Sequence, residues 1–350
     1  MQYLYHYFPG GNTPEGFFSF YQEILDTPSS RKTKKPKKLA VIKGGPGTGK
    51  STFLKSLGKT LGERGEQVTY LHCSSDPDSL DGIFLPGHNS AVIDGTAPHM
   101  TDAKLPGVYD TVLNFCDFIG EISEKEEALS ESKKASSLFL EGYCYLKSAK
   151  ALLSLMHTRS EEQLLEDEIR MFALDIAKRV STFSADGFYK KAFLSAVTAK
   201  GFCNFFKENL ENYYTLSVEA EVGDASYRLM QEVAAACRLR NVDMIVCPCP
   251  MNPHQIEHLL FPSANLALVT SNVYHSYSGA DEIVSFGDFL KHRISGRTPQ
   301  LMYDGILHLA IKAFSDALEH HNRLETLYQS VTDYSKIDNF RQKTLDFLLR

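Results

Sequence analysis

Four apolar residues in succession, Leu39-Ala40-Val41-Ile42, open the regular part of the chain. A short run without polar alternation predicts a strand buried on both faces, as in a parallel sheet. Phe53, Leu54, Leu57 and Leu61 follow a glycine-rich stretch, and their spacing places one apolar stripe on a helix. Gly65 predicts its end. Val68-Thr69-Tyr70-Leu71 reads as a second strand and Ala91-Val92-Ile93 as a third, ending at Asp94, with a Ser-, Asp- and Pro-rich loop over residues 74–81. This order predicts an α/β unit with a parallel sheet flanked by helices. Residues 121–179 are charged and helix-favouring, with Leu138, Leu140, Leu146, Leu152, Leu153 and Met156 supplying apolar faces, and residues 301–350 are similar. Both predict helical packing elements, or else a lid or partner surface.

The pattern occurs twice. Phe8, Thr13, Gly16, Phe17, Phe20, Glu23 and Leu25 match Phe193, Thr198, Gly201, Phe202, Phe205, Glu208 and Leu210 at one spacing. At a shorter spacing, Gly47, Arg64, Cys73, Pro77, Pro86, Ala91 and His99 match Gly223, Arg240, Cys249, Pro253, Pro262, Ala267 and His275. Phe115-Cys116-Asp117-Phe118 then faces Phe286-Gly287-Asp288-Phe289. Such self-similarity predicts a duplication: two α/β units, each followed by helices, over residues 1–185 and 186–350. The length of 350 residues suits two domains.

One segment carries recognisable chemistry. Gly44-Gly45-Pro46-Gly47-Thr48-Gly49-Lys50-Ser51 fits the phosphate-loop pattern and lies between the apolar strand and the amphipathic helix. Its glycines let backbone N–H groups converge on phosphate oxygens, and the helix start adds a positive dipole end. Lys50 is expected to bridge the β- and γ-phosphates, Ser51 to ligate Mg²⁺, and Thr52 to complete the nucleotide site. Asp94, at a strand end, is the second candidate for holding Mg²⁺, the alternative being a turn residue before Gly95. No Asp-Glu pair stands there, so the catalytic base is sought in the loop after the second strand, at Asp76 or Asp78; the competing role for both is capping and turn formation.

Opposite that loop in the second half stands Ala220-Glu221-Val222-Gly223-Asp224-Ala225-Ser226-Tyr227, which lacks the lysine and adds two acids. Asn252, His254 and Thr270 stand opposite Asp76, Asp78 and Asp94. The second half is therefore expected to keep the framework without the triphosphate chemistry. His99 and His275 persist in both halves, which suggests a structural role. His254-Gln255-Ile256-Glu257-His258 matches a zinc-peptidase spacing, but Pro253 and Pro262 confine it and the long helix such a motif needs is not expected. His320 and His321 are expected on an exposed helix face.

Composition narrows the field. A formal charge of −6 argues against a general nucleic-acid binder. The basic run Arg31-Lys32-Thr33-Lys34-Lys35-Pro36-Lys37-Lys38 is read as a solvated linker, with a phosphate-attracting arm as the alternative. Seven cysteines without framework spacing, no export signal at the N-terminus and no long apolar run lead to the expectation of a cytoplasmic protein with reduced thiols and no membrane partner.

The sequence also resembles a family of largely uncharacterised bacterial proteins with tandem P-loop ATPase repeats. The resemblance rests on Gly10-Gly11-Asn12-Thr13-Pro14-Glu15-Gly16-Phe17, on residues 43–52, on His72-Cys73-Ser74-Ser75-Asp76-Pro77-Asp78-Ser79-Leu80-Asp81 and on Asp94-Gly95-Thr96-Ala97-Pro98-His99. It implies ATP binding; the second nucleotide loop expected of the family is replaced here at residues 220–227. The expectation is thus an Mg²⁺-dependent ATPase that turns hydrolysis into a conformational signal for its second unit or a protein partner. The alternatives are a small-molecule kinase using a lid arginine such as Arg159, Arg170 or Arg179, and a nucleotide-dependent scaffold.

Overall fold

The computed structural model describes residues 5–21, 38–96, 102–181, 189–293 and 297–350. Glu23, Leu25, residues 31–37, Ala97, Pro98 and His99 lie outside them. The first half runs β1 (His6–Tyr7), β2 (Gly10–Thr13), β3 (Gly16–Ser19), β4 (Lys38–Lys43), α1 (Lys50–Glu63), β5 (Thr69–His72), β6 (Leu80–Leu85), β7 (Ser90–Asp94) and β8 (Asp110–Asn114), followed by α2 (Lys125–Glu161) and α3 (Glu166–Ser181). The second runs β9 (Tyr189–Lys191), β10 (Ser195–Thr198), β11 (Gly201–Asn204), α4 (Phe206–Leu210), β12 (Tyr214–Glu219), α5 (Ser226–Arg238), β13 (Met244–Cys249), β14 (Asn252–Phe261), β15 (Leu266–Ser271) and β16 (Glu282–Ser285), followed by α6 (Arg297–Gln329) and α7 (Asp338–Leu349).

The protein is α/β, with one six-stranded sheet in each half. Their orders, β1-β5-β6-β7-β4-β8 and β9-β13-β14-β15-β12-β16, correspond strand for strand. The sheets are mixed rather than parallel, which corrects the sequence expectation. β6 runs antiparallel to both β5 and β7, and β14 to both β13 and β15. The cause is local. Tight turns follow β6 and β14, with Asn89 and Asn265 in the left-handed region at φ 50° and 48°, and so short a link can only reverse the chain. Asp81 and Gly82 interrupt the apolar pattern of β6, so the segment reads as loop although all of it is buried.

The β2–β3 and β10–β11 hairpins join through β2 and β10 into a four-stranded sheet that ties the halves together. Beside it Phe8 and Phe193 exchange backbone hydrogen bonds, N–H to O, of 3.0 and 3.3 Å. These are matching residues of the repeat, so a local two-fold relation passes between them.

The long helices cross over. α7 packs on the first sheet: Ile337, Leu345 and Leu348 share a core with Phe53, Leu54, Leu57 and Leu61 of α1. α3 packs on the second, where Ile169, Ala173, Ile176 and Val180 meet Leu229 and Val233 of α5. Between them α2 and α6 lie side by side through Leu146, Ala149, Leu153, Leu307, Ala310 and Phe314. His320, expected on an open face, instead lies 2.6 Å from the buried Glu131 across this helix pair. Among the described residues no helix is long and apolar enough to cross a membrane. The crossover brings the C-terminal end of α6 to the glycine-rich loop of the first half.

Candidate functional site

The loop over residues 44–49 joins β4 to α1 at the carboxyl end of the parallel strands, where ligands bind in open α/β sheets. Gly47 and Gly49 take φ of 67° and 84°, conformations that side chains disfavour. Thr48 is buried, with its Oγ1 donating to the Gly45 carbonyl at 2.8 Å. Pro46 lies in the turn at the loop's tip. Lys50 Nζ is folded back on the loop, donating to the carbonyls of Gly44 and Gly45 at 2.8 Å each, and stands 3.5 Å from Asp94 Oδ2. The structure therefore brings the predicted lysine and strand-end acid together. Asp94 Oδ1 accepts from the Thr96 N–H at 2.9 Å, so the turn role and proximity to Lys50 coexist. Ser51 Oγ accepts from the Leu80 N–H at 3.0 Å, which joins the loop to the end of the acidic segment. Thr52 is exposed on the first turn of α1.

The other half closes over this loop. Gly47 N–H donates to Glu325 Oε1 of α6 at 3.3 Å, and Tyr334 O–H donates to the Gly47 carbonyl at 2.6 Å. A Cβ on Gly47 would lie 2.5 Å from the Glu325 carbonyl oxygen, so the approach itself requires glycine. Tyr328 covers Gly45 in the same way. His321 beside Glu325 holds that carboxyl below its ordinary range against burial, helped by Gly47 N–H and Lys50. Glu325 thus presents an anionic oxygen to a loop N–H. Nothing in the sequence marks it, because it is one of many acids on a long charged helix.

Asp76 and Asp78 occupy a turn. Asp76 accepts from the Asp78 N–H at 3.3 Å and from Ser79 Oγ at 2.7 Å. Lys200, at the tip of the second half's hairpin, pairs with Asp78 and lies 3.7 Å from Asp76. The mirror contact joins Glu15, at the first hairpin's tip, to His254 at 3.2 Å and to Lys150 at 3.1 Å. The partners are repeat equivalents, Glu15 of Lys200 and His254 of Asp78, with the acid on opposite sides of the contact.

In the second half residues 220–227 take the corresponding position, under the end of α2. Ala225 N–H donates to Ser160 Oγ at 3.0 Å, Tyr227 O–H bonds Glu161, and Gly223 lies against Met156. Burial raises the Asp224 carboxyl above its ordinary value. The candidate lid arginines Arg159, Arg170 and Arg179 sit on α2 and α3, which cover this half and not the first loop. A cavity of about 60 Å³ lies here, lined among others by Asp224, Tyr227, Cys249, Glu257 and His275.

The zinc-peptidase spacing is not realised as a helix. Residues 254–258 belong to β14, where His254 is exposed and Glu257 and His258 are buried. Glu257 and His258 instead meet His275, with ligand atoms within 4.8 Å of one another. Burial works to lower the His275 imidazole and to raise the Glu257 carboxyl, and the attraction between the two opposes burial in both; the imidazole comes out below its ordinary value and the carboxyl below its own.

Comparison of the chain with known protein families, with curated proteins and with solved structures finds no match.

Proposed function

We propose that the chain comprises two P-loop NTPase-like units, of which the first binds ATP with Mg²⁺ and hydrolyses it. The observation that carries this reading is that the loop already receives an anion: Gly47 N–H donates to the Glu325 carboxylate, with Lys50 and Asp94 3.5 Å apart at its base. Phosphate oxygens would take the place of that carboxylate. Lys50 would leave the Gly44 and Gly45 carbonyls for the β- and γ-phosphates. Ser51, whose hydroxyl oxygen retains acceptor capacity, and Asp94 would hold Mg²⁺, which supplies charge neutralisation at the phosphates. Asp76 and Asp78 remain the candidates for orienting the attacking water; Lys200 ties that step to the second unit. The tandem P-loop ATPases that the motifs resemble supply the same expectation.

Calorimetry with ATP and Mg²⁺, together with phosphate release, tests it. Lys50→Ala is expected to weaken ATP binding and abolish release while the far-ultraviolet circular dichroism is retained. Unchanged ATP affinity in that variant would remove the basis of the proposal.

A further inference from the structure

β8 ends the first sheet, with β4 on one side and no described strand on the other. Leu39 N–H donates to the Tyr109 carbonyl at 3.3 Å, and the parallel register then turns the bonding groups of Thr111 and Leu113 toward β4. Val112, between them, directs its N–H and C=O outward. Sheet edges are ordinarily blunted by charge, by proline or by a covering element. Here the one charged side chain of the strand is engaged: Asp110 Oδ2 accepts from the N–H groups of Lys104 and Leu105 at 2.7 and 2.8 Å. Val108, Tyr109 and Val112 are exposed beside it, an apolar patch at the edge of the sheet.

A groove of about 500 Å³ runs between this edge and α7. Tyr109 and Val112 line it on the β8 side, Phe340 and Phe347 on the α7 side. Lys38 at the start of β4 and the exposed Lys343 and Arg350 add positive charge. Asp346 is the single acid among the lining residues, and it already accepts from Gln342 Nε2 at 2.8 Å.

The second half closes the equivalent place. α7 stands opposite α3, since Ile337, Thr344, Leu345 and Leu348 are buried at the spacing of Ile169, Ile176, Ala177 and Val180. Phe347, Thr111 and Lys38 are therefore the counterparts of Arg179, Glu282 and Tyr214. Arg179 Nη2 lies 3.6 Å from Glu282 Oε2, and its guanidinium stands 5.9 Å from the centroid of the Tyr214 ring. An ion pair and an arginine over an aromatic face thus bridge α3 to the edge strand β16. Phe347 and Thr111 can form no such ion pair, and the groove lies in their half.

We infer that the groove between β8 and α7 binds an extended acidic segment of a protein partner. Its main chain pairs with the outward N–H and C=O of Val112, the mode by which a strand is added to a sheet edge. Its apolar side chains sit against Tyr109, Phe340 and Phe347, and its carboxylates meet Lys343 and Arg350. The alternation of a strand puts successive side chains on opposite faces, so a segment that alternates apolar with acidic residues suits one apolar wall and one charged rim. The inference does not depend on nucleotide binding.

Short random peptides displayed on phage, selected on the immobilised full chain and then synthesised with a fluorescent label, provide the probe. The selected peptides are expected to carry net negative charge and to alternate apolar with acidic residues. Fluorescence anisotropy should show that Lys343→Glu combined with Arg350→Glu weakens their binding by roughly tenfold, as does raised ionic strength. Val112→Pro removes the outward N–H and should abolish binding. The two charge reversals lie on an exposed face, so they decide the matter on their own should Val112→Pro not fold. Failure to enrich any peptide overturns the inference, as does enrichment of peptides without acidic residues or an affinity that the double charge reversal leaves unchanged. A dimer seen by sedimentation velocity and dissolved by Val112→Pro would make the occupant a second copy of this chain and overturn it equally.

Discussion

Glu325 and Lys50 both satisfy the same loop in the closed molecule, one by accepting from Gly47 N–H and the other by donating to the carbonyls of Gly44 and Gly45. A triphosphate entering this loop has to displace the carboxylate. Hydrogen bonds to charged groups contribute about 1.5–3 kcal/mol and those between neutral groups about 0.5–1.5 kcal/mol. Glu325→Gln keeps an acceptor in place and removes the charge, so about 1.4 kcal/mol of competition disappears, equivalent to roughly tenfold tighter ATP binding. Calorimetry on the variant checks this; affinity equal to or weaker than that of the unaltered chain would mean that Glu325 is not a competitor for the phosphate position. The loop itself was legible in the sequence, because its glycines, lysine and serine are local chemical requirements within one short segment. Glu325 was not, since its role depends on which helix crosses to which loop. The Glu257 cluster was half legible: the sequence spacing drew in His254, which the strand turns outward, and omitted His275, which the fold brings in.

At the scale of elements, apolar periodicity found β4, α1, β5, β7 and the long helices, while β6 was lost to the Asp81-Gly82 interruption. Periodicity also left undetermined which sheet each helix covers, because an apolar stripe specifies a buried face and not its partner. The α2–α6 pair depends on one close approach. A Cβ on Gly142 would lie 2.4 Å from the Phe314 ring, inside the core shared by the two helices. Gly142→Val should separate the pair. Overpacking of a filled core costs about 1–3 kcal/mol, against which a small gain in helix propensity of under about 1 kcal/mol counts little. A lower urea midpoint is expected, and Phe314→Ala added to Gly142→Val should recover part of the loss by making room. A midpoint unaffected by Gly142→Val would show that the helices do not pack there in solution.

Across the whole molecule the two halves share strand order, left-handed residues at Gly16 and Gly201, Gly47 and Gly223, Gly65 and Asn241, and Asn89 and Asn265, and reciprocal bonds at Phe8 and Phe193, and they differ in what stands at the loop. Each loop is covered by the helix end of the other half: Glu325 over Gly47, and Ser160 over Ala225. In the first half the covering group is a carboxylate that accepts from the Gly47 N–H and pairs with His321, a contact that nucleotide would replace under the proposed function. In the second, Met156 fills the space over Gly223, and Glu221 and Asp224 stand where phosphate would have to approach. Unit charges about 4 Å apart at an effective dielectric near 20 interact by roughly 4 kcal/mol, so even part of that repulsion removes useful affinity. A non-hydrolysable ATP analogue should therefore saturate the chain at one equivalent, as measured by calorimetry, and Lys50→Ala should abolish that single event. Two binding events, with one surviving Lys50→Ala, would mean that the second loop accepts nucleotide despite its acids and that the closure by α2 opens.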